Sequence, residues 1–187
     1  QRSAAELKIL SRKSIDWLKG KIQELRNPSG IAQTLGRESS RHTGRILLGG
    51  LYCFYYDPKT KSDLPYYDRF PLVLILERYS DGFLGLNLHY LPLQYRTAFL
   101  GKLLSYASYN ENDEITRVRI SYDILSASRR LKEFRPCLKK YLTGHIQSKI
   151  LAIQPNEWET ACVLPLQQFR KAPAATVWQE SLEEIRN

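Results

Sequence analysis

Two apolar runs, Phe70 to Tyr79 and Phe83 to Leu91, stand on either side of Ser80-Asp81-Gly82, and this arrangement restricts the fold more than any other feature of the chain. Runs of that length, rich in Leu, Val, Ile and Phe and split by a polar turn, read as a β-hairpin in which the Asp-Gly pair reaches positive φ at little cost. In the second run Phe83, Gly85, Asn87 and His89 alternate with Leu84, Leu86, Leu88 and Tyr90, which puts the leucines on one face. Neither run approaches the roughly 18 to 20 apolar residues that cross a bilayer, so no membrane partner is expected.

The segment Ile46 to Tyr56, rich in β-branched and aromatic residues, predicts a further strand, closed by the turn Asp57-Pro58-Lys59-Thr60. Pro92 then opens a helix running to about Tyr109 that buries Phe99, Leu100, Leu103 and Leu104. Thr116 to Tyr122 alternates as a half-exposed strand with Arg117 and Arg119 outward, and a short helix covers about Tyr122 to Leu131. Pro136 is read as opening another helix that ends at Gly144. Lys149 to Ile153 predicts a strand, Asn156 caps a turn reaching Ala161, and Val163 to Phe169 closes the sheet. Ala174 to Ile185 is an amphipathic helix showing Trp178, Leu182 and Ile185. The expected class is α+β: a small, strongly bent antiparallel sheet or SH3-like barrel with flanking helices.

At 187 residues the chain holds one core with appendages. The expected division is an N-terminal basic helix and extended arm over 1–45, an α+β core domain over 46–170 and a C-terminal helix over 171–187. The helix of 4–25 sets Leu7, Leu10, Ile15, Leu18, Ile22 and Leu25 against Lys8, Lys13, Lys19 and Lys21, and Asn27-Pro28-Ser29-Gly30 ends it. The chain opens on Gln1 and contains no Met, so further residues are expected before it.

The net charge is +9, and it is unevenly spread. Residues 1 to 48 carry 10 basic and 4 acidic groups and residues 121 to 150 carry 7 and 2, whereas 49 to 110 is nearly balanced at 6 against 5. Segregated positive charge is what a protein presents to phosphates. The sharpest cluster is Arg129, Arg130, Lys132 and Arg135, followed by Lys139 and Lys140, with Phe134 and Tyr141 interleaved. Cations there would bind a DNA backbone by releasing counterions, and the aromatics would stack on unpaired bases. The competing reading is a solvated helical face with Phe134 and Tyr141 in the core. Lys59 and Lys61 on the turn are a weaker candidate, as are Arg37, Arg41, His42 and Arg45 in the arm. Eight of the twelve tyrosines fall in the stretch from Tyr52 to Tyr95, rings suited to a barrel core or a fixed protein interface.

Catalysis finds little support. His42, His89 and His145 stand in no triad or ligand spacing, and His89, opposite the leucine face, reads as a hydrogen-bonded structural histidine. Glu111, Asp113 and Glu114 lack the second carboxylate cluster that a metal-dependent nuclease requires, and no phosphate-binding or dinucleotide loop is present. No cofactor, metal or catalytic residue is expected. Cys53, Cys137 and Cys162 lack chelating spacing and read as buried reduced thiols, which fits a reducing compartment.

The strings Leu51-Tyr-Cys-Phe-Tyr-Tyr-Asp-Pro-Lys, Leu64-Pro-Tyr-Tyr-Asp-Arg-Phe-Pro-Leu-Val-Leu and Gly82-Phe-Leu-Gly-Leu-Asn-Leu-His-Tyr-Leu-Pro, with Arg96 soon after, resemble the DNA end protector family of T-even-like contractile-tailed phages. The resemblance is close over residues 50 to 105, loose over Ser121 to Phe169 and absent over 1 to 45. It implies a minor virion protein, without enzymatic activity, that binds the termini of packaged linear double-stranded DNA and keeps host exonucleases away. The virion, and the host cytoplasm after assembly or injection, would be its place, with the portal, neck or tail as protein partners. It assigns no residue a role. The rivals are a structural component of neck, tail or baseplate with no direct DNA role and, less favoured, a nuclease or other packaging enzyme.

Overall fold

The computed structural model describes residues 42–105, 130–154 and 157–187, with Asp123 and Ser126. The helix of 4–25, the arm up to residue 41, the strand of 116–122, the acidic residues 111, 113 and 114, the Asn156 cap and Arg129 lie outside the described residues.

Eight strands form. β1 is His42–Thr43, β2 Leu51–Cys53, β3 Tyr67–Asp68, β4 Leu72–Arg78, β5 Gly82–Asn87, β6 Leu138–Leu142, β7 Ile150–Ile153 and β8 Phe169–Arg170. Four α-helices accompany them in the described residues: α1 Leu93–Ser105, α2 Phe134–Cys137, α3 Trp158–Val163 and α4 Ala174–Arg186. Six strands pair antiparallel in the order β1-β7-β2-β4-β5-β6, and β3 pairs with β8 in a separate two-stranded sheet. The class is α+β, and the main sheet is open rather than closed into a barrel.

The hairpin is the centre of this sheet. β4 and β5 pair from Val73 opposite Asn87 to Arg78 opposite Phe83, with an extra residue between Ile75 and Glu77. Alternation along β4 divides its side chains between two buried layers. Leu72, Leu74 and Leu76 join Leu86, Leu88, Phe99, Leu100, Leu103, Trp158 and Val177 under the helices. Val73 and Ile75 join Phe54, Tyr56, Phe83 and Tyr141 on the opposite face. Both faces of the hairpin are covered; of the leucines that the alternation puts on one face, Leu86 and Leu88 are buried while Leu84, beside the extra residue, is half-buried. Burying a side chain of this size stabilises by roughly 1.5 to 3 kcal/mol, and twenty are buried in the larger layer.

Several expectations are corrected. Neither Asp81 nor Gly82 takes positive φ; among the described residues only Gly49 and Lys171 do. Glycine is needed at 82 for close approach, because a Cβ there would lie 1.9 Å from the Tyr141 carbonyl oxygen of β6. The strand of 46–56 is reduced to β2. Gly49, at φ 73°, turns the chain just before it, with Gly50 N–H donating to Leu47 O.

The helix expected over 136–144 is the single turn α2 followed by strand β6. Its local sequence suits either state, and the partner decides: β6 pairs residue for residue with β5, from Gly82 opposite Leu142 to Leu86 opposite Leu138. That pairing sets the Tyr141 ring 5.6 Å from Phe83 and 5.5 Å from Phe54. Val163 to Phe169 does not close the main sheet; β8 pairs with β3 instead. By contrast β7, α4 and the described part of the helix after Pro92 stand where the sequence predicts them, and β1 ties the end of the arm to β7.

Candidate nucleic-acid interface

The loop from Tyr56 to Asp68 leaves β2, carries the turn of 59–63 and returns through β3. Lys171, held at φ 71°, fastens it by donating from Nζ to the carbonyls of Lys61, Ser62 (3.0 Å) and Leu64 (2.7 Å). Between this loop and β6 lies a groove of about 570 Å³. Lys59 from the turn lines it together with Lys139 and Lys140 from β6, as do Tyr66, Tyr67 and Tyr90.

Lys139 is half-buried, and its Nζ lies 4.2 Å from the centre of the Tyr90 ring. Burial holds this ammonium below the usual lysine range. Among the described residues no carboxylate stands within ion-pair distance of Lys139 or Lys59. Lys140, by contrast, has Asp81 at 3.4 Å and Tyr79 beneath it at 5.1 Å. Burial pushes the Tyr90 hydroxyl up, and burial with the Glu180 carboxylate does the same for Tyr66, so both phenols stay neutral.

The floor is set by a buried polar knot. Asp68 Oδ1 accepts from the N–H groups of Phe70 (3.0 Å) and Gln168 (2.9 Å), while Oδ2 accepts from Asn87 Nδ2 (3.2 Å) and His89 Nδ1 (2.7 Å). Burial works against the carboxylate charge, but His89 and these donors outweigh it and hold Asp68 below the usual range. Burial lowers His89 in turn, so the ring is neutral with its proton on Nδ1 and Nε2 without a partner. His89 is thus a structural histidine, joining the end of the hairpin to β3.

Beside it Arg96, fully buried, donates from Nε to Leu91 O (2.7 Å) and from the guanidinium to His89 O (3.2 Å) and Gln167 Oε1 (3.1 Å). Trp178 of α4 lies 5.7 Å from it and donates to the same His89 carbonyl. Arg96 therefore joins the elements under the sheet, and its charge does not reach a partner.

Of the residues singled out in the sequence, the groove unites Lys59, Lys139 and Lys140. Lys61 is turned to Asp57 at 2.9 Å and is not part of the lining. Arg130, Lys132 and Arg135 are exposed on the turn and one-turn helix before β6, also outside the lining. The intervening Glu133 is paired with Lys102. Phe134 and Tyr141, at 3% and 4% exposure, belong to the core, so neither ring is open to stack on a base. Tyr66, Tyr67 and Lys171 were not singled out; tyrosine density pointed to the first two, and no local signal marks the lysine.

Among the described residues no three His, Cys, Asp or Glu side chains gather where they could hold a metal, and no helix is long and apolar enough to cross a membrane. Cys53, Cys137 and Cys162 are free and buried. Fold and groove together define a basic α+β protein whose candidate site offers an anion neutral aromatic rings and, in Lys59 and Lys139, two cations without a carboxylate partner among the described residues. Over residues 9–181 the chain matches the family described as phage T4 terminal DNA protecting protein, and it belongs to that family. No curated protein and no solved structure matches it.

Proposed function

We propose that the protein binds the termini of linear double-stranded DNA and protects them from exonucleases by occupying them, without catalysing a reaction. The observation that carries this reading is the convergence of Lys59 and Lys139, eighty residues apart in sequence, on one tyrosine-lined groove in a chain of a terminal-DNA-protecting family. The exposed Arg130, Lys132 and Arg135 extend the positive surface along the approach to β6 and supply backbone contacts, and Arg129 continues the run in sequence. The protein acts in the virion and, after injection, in the host cell, with neighbours in the portal, neck or tail holding it near the genome end.

Gel shifts with blunt, overhanging and closed-circular duplexes test the proposal, followed by exonuclease digestion of the bound linear forms. Linear DNA should bind at about 50 mM salt with steep salt dependence and resist digestion, and circles should bind less. Neutralising Arg130, Lys132 and Arg135 together should weaken binding to every sequence and flatten the salt slope by up to about 0.9 per lost phosphate contact. Absence of binding to any linear duplex at low salt would leave a structural virion role instead.

A further inference from the structure

The geometry points to a terminal phosphate monoester of a DNA strand as the occupant of the groove between the 56–68 loop and β6, with Lys139 as its anchoring cation and Lys59 as the second. This rests on the end-binding reading above and names what at the end is recognised.

Size is the first argument. A volume of about 570 Å³ lies within the range of small-ligand sites and matches a single nucleotide rather than a length of duplex.

Charge is the second. A half-buried ammonium is normally paired, because its lost hydration must be replaced. Lys139 has the Tyr90 face on one side and no carboxylate within ion-pair distance among the described residues, which leaves its hydrogen-bonding capacity open on the groove side. Asp68, the one carboxylate in the lining, has both oxygens occupied by donors and does not compete for it.

The third argument is the difference between a terminus and an internal linkage. A phosphate monoester carries about 1.5 to 2 negative charges near neutral pH and three acceptor oxygens, against one charge for a phosphodiester. Two cations without carboxylate partners therefore favour the end over any internal position. Tyr66 and Tyr67, half-buried along the same wall, leave ring surface for the adjoining sugar and base.

Fluorescence anisotropy on the full chain tests this with one labelled duplex in three forms: phosphorylated at the 5′ ends, phosphorylated at the 3′ ends, and hydroxyl-terminated throughout. One phosphorylated form should bind on the order of tenfold more tightly than the hydroxyl form, and its polarity identifies the strand recognised. Lys139→Met, which keeps the stem against Tyr90 and removes the charge, should abolish the preference and weaken binding of the hydroxyl-terminated duplex by a smaller factor, with the melting temperature unchanged. Lys59→Gln should reduce the preference by a smaller factor and, lying on an exposed turn, gives the same reading should Lys139→Met fold poorly. Equal affinity for all three duplexes, or a preference that survives both substitutions, overturns the inference while leaving end binding intact. Absence of binding to any of them overturns the end-binding reading itself.

Discussion

Replacing Asp68 by Asn tests whether the polar knot beneath the groove holds the two sheets together. The amide keeps one acceptor, which can stay with the N–H groups of Phe70 and Gln168, but it turns an NH₂ toward Asn87 Nδ2 and His89 Nδ1. His89 can adapt by moving its proton to Nε2, which has no partner to lose. The Asn87 amide cannot, since its oxygen already accepts from the N–H groups of His89 (3.1 Å) and Leu72 (3.4 Å). Three contacts thus lose roughly 1 kcal/mol each with the charge, and one orphaned donor costs roughly 1 to 3 kcal/mol. Relief of the carboxylate's desolvation offsets part of this, leaving a net loss of about 3 kcal/mol, or about 6 to 12 °C in melting temperature for a chain of this size.

The pH dependence gives a second reading. Asp68 and His89 both have folded pKa values below their unfolded ones. Each therefore contributes stability that is complete above its unfolded pKa and is lost as pH falls through the window toward its folded value. The unmodified protein should weaken from about pH 6.5 downward through His89 and again below about pH 4 through Asp68. Asp68→Asn should abolish the second stage and, by removing the carboxylate that favours the charged His89, hold that ring lower still, so that the first stage extends to lower pH. Urea denaturation at pH 7.5, with melting curves from pH 7.5 to 3, measures both effects. A loss under about 1 kcal/mol at pH 7.5, or an unchanged acid limb, would refute the reasoning.

Gly82→Ala should cost about 3 kcal/mol, the upper end of overpacking penalties, because the obstructing atoms are the Tyr141 carbonyl carbon and oxygen rather than a side chain that can swing aside; urea titration showing under about 1 kcal/mol would contradict this. Cys53, Cys137 and Cys162 should resist a thiol reagent at pH 8 in the folded protein and all react once it is denatured, since burial pushes every one of them up, Cys162 to about 12. Rapid labelling of any of the three without denaturant would mean that its site opens.

The hairpin was legible because both of its strands are continuous apolar runs and its turn is polar, signals that lie within twenty residues of each other. β6 was not. Pro136-Cys-Leu-Lys-Lys-Tyr-Leu142 contains a proline that suits a helix start and no strong β-forming run; its state is decided by β5, more than fifty residues earlier. Gly82 illustrates the same gap. A glycine after Asp81 reads as turn chemistry, whereas its requirement comes from the backbone of a strand that local sequence does not reveal. The candidate site was legible residue by residue and not as a place. Lys59 and Lys139 both stood out as cations, but only the loop's return through β3 and the pairing of β6 with β5 bring them to one groove. Phe134 and Tyr141 could equally be core or contact when seen only as neighbours of lysine and arginine, and the packing of Tyr141 on Phe54 and Phe83 decides for the core.

β6 is the last strand of its sheet, and among the described residues no strand pairs with its outer side. A bare strand edge is a template on which another chain can add itself, the first step toward fibrous aggregates. Lys139 and Lys140 stand in the middle of this edge, so a second copy docking there antiparallel would crowd four ammonium groups into one short ladder. The charge that makes the groove attractive to phosphate thus also works against extension of this edge by a second copy.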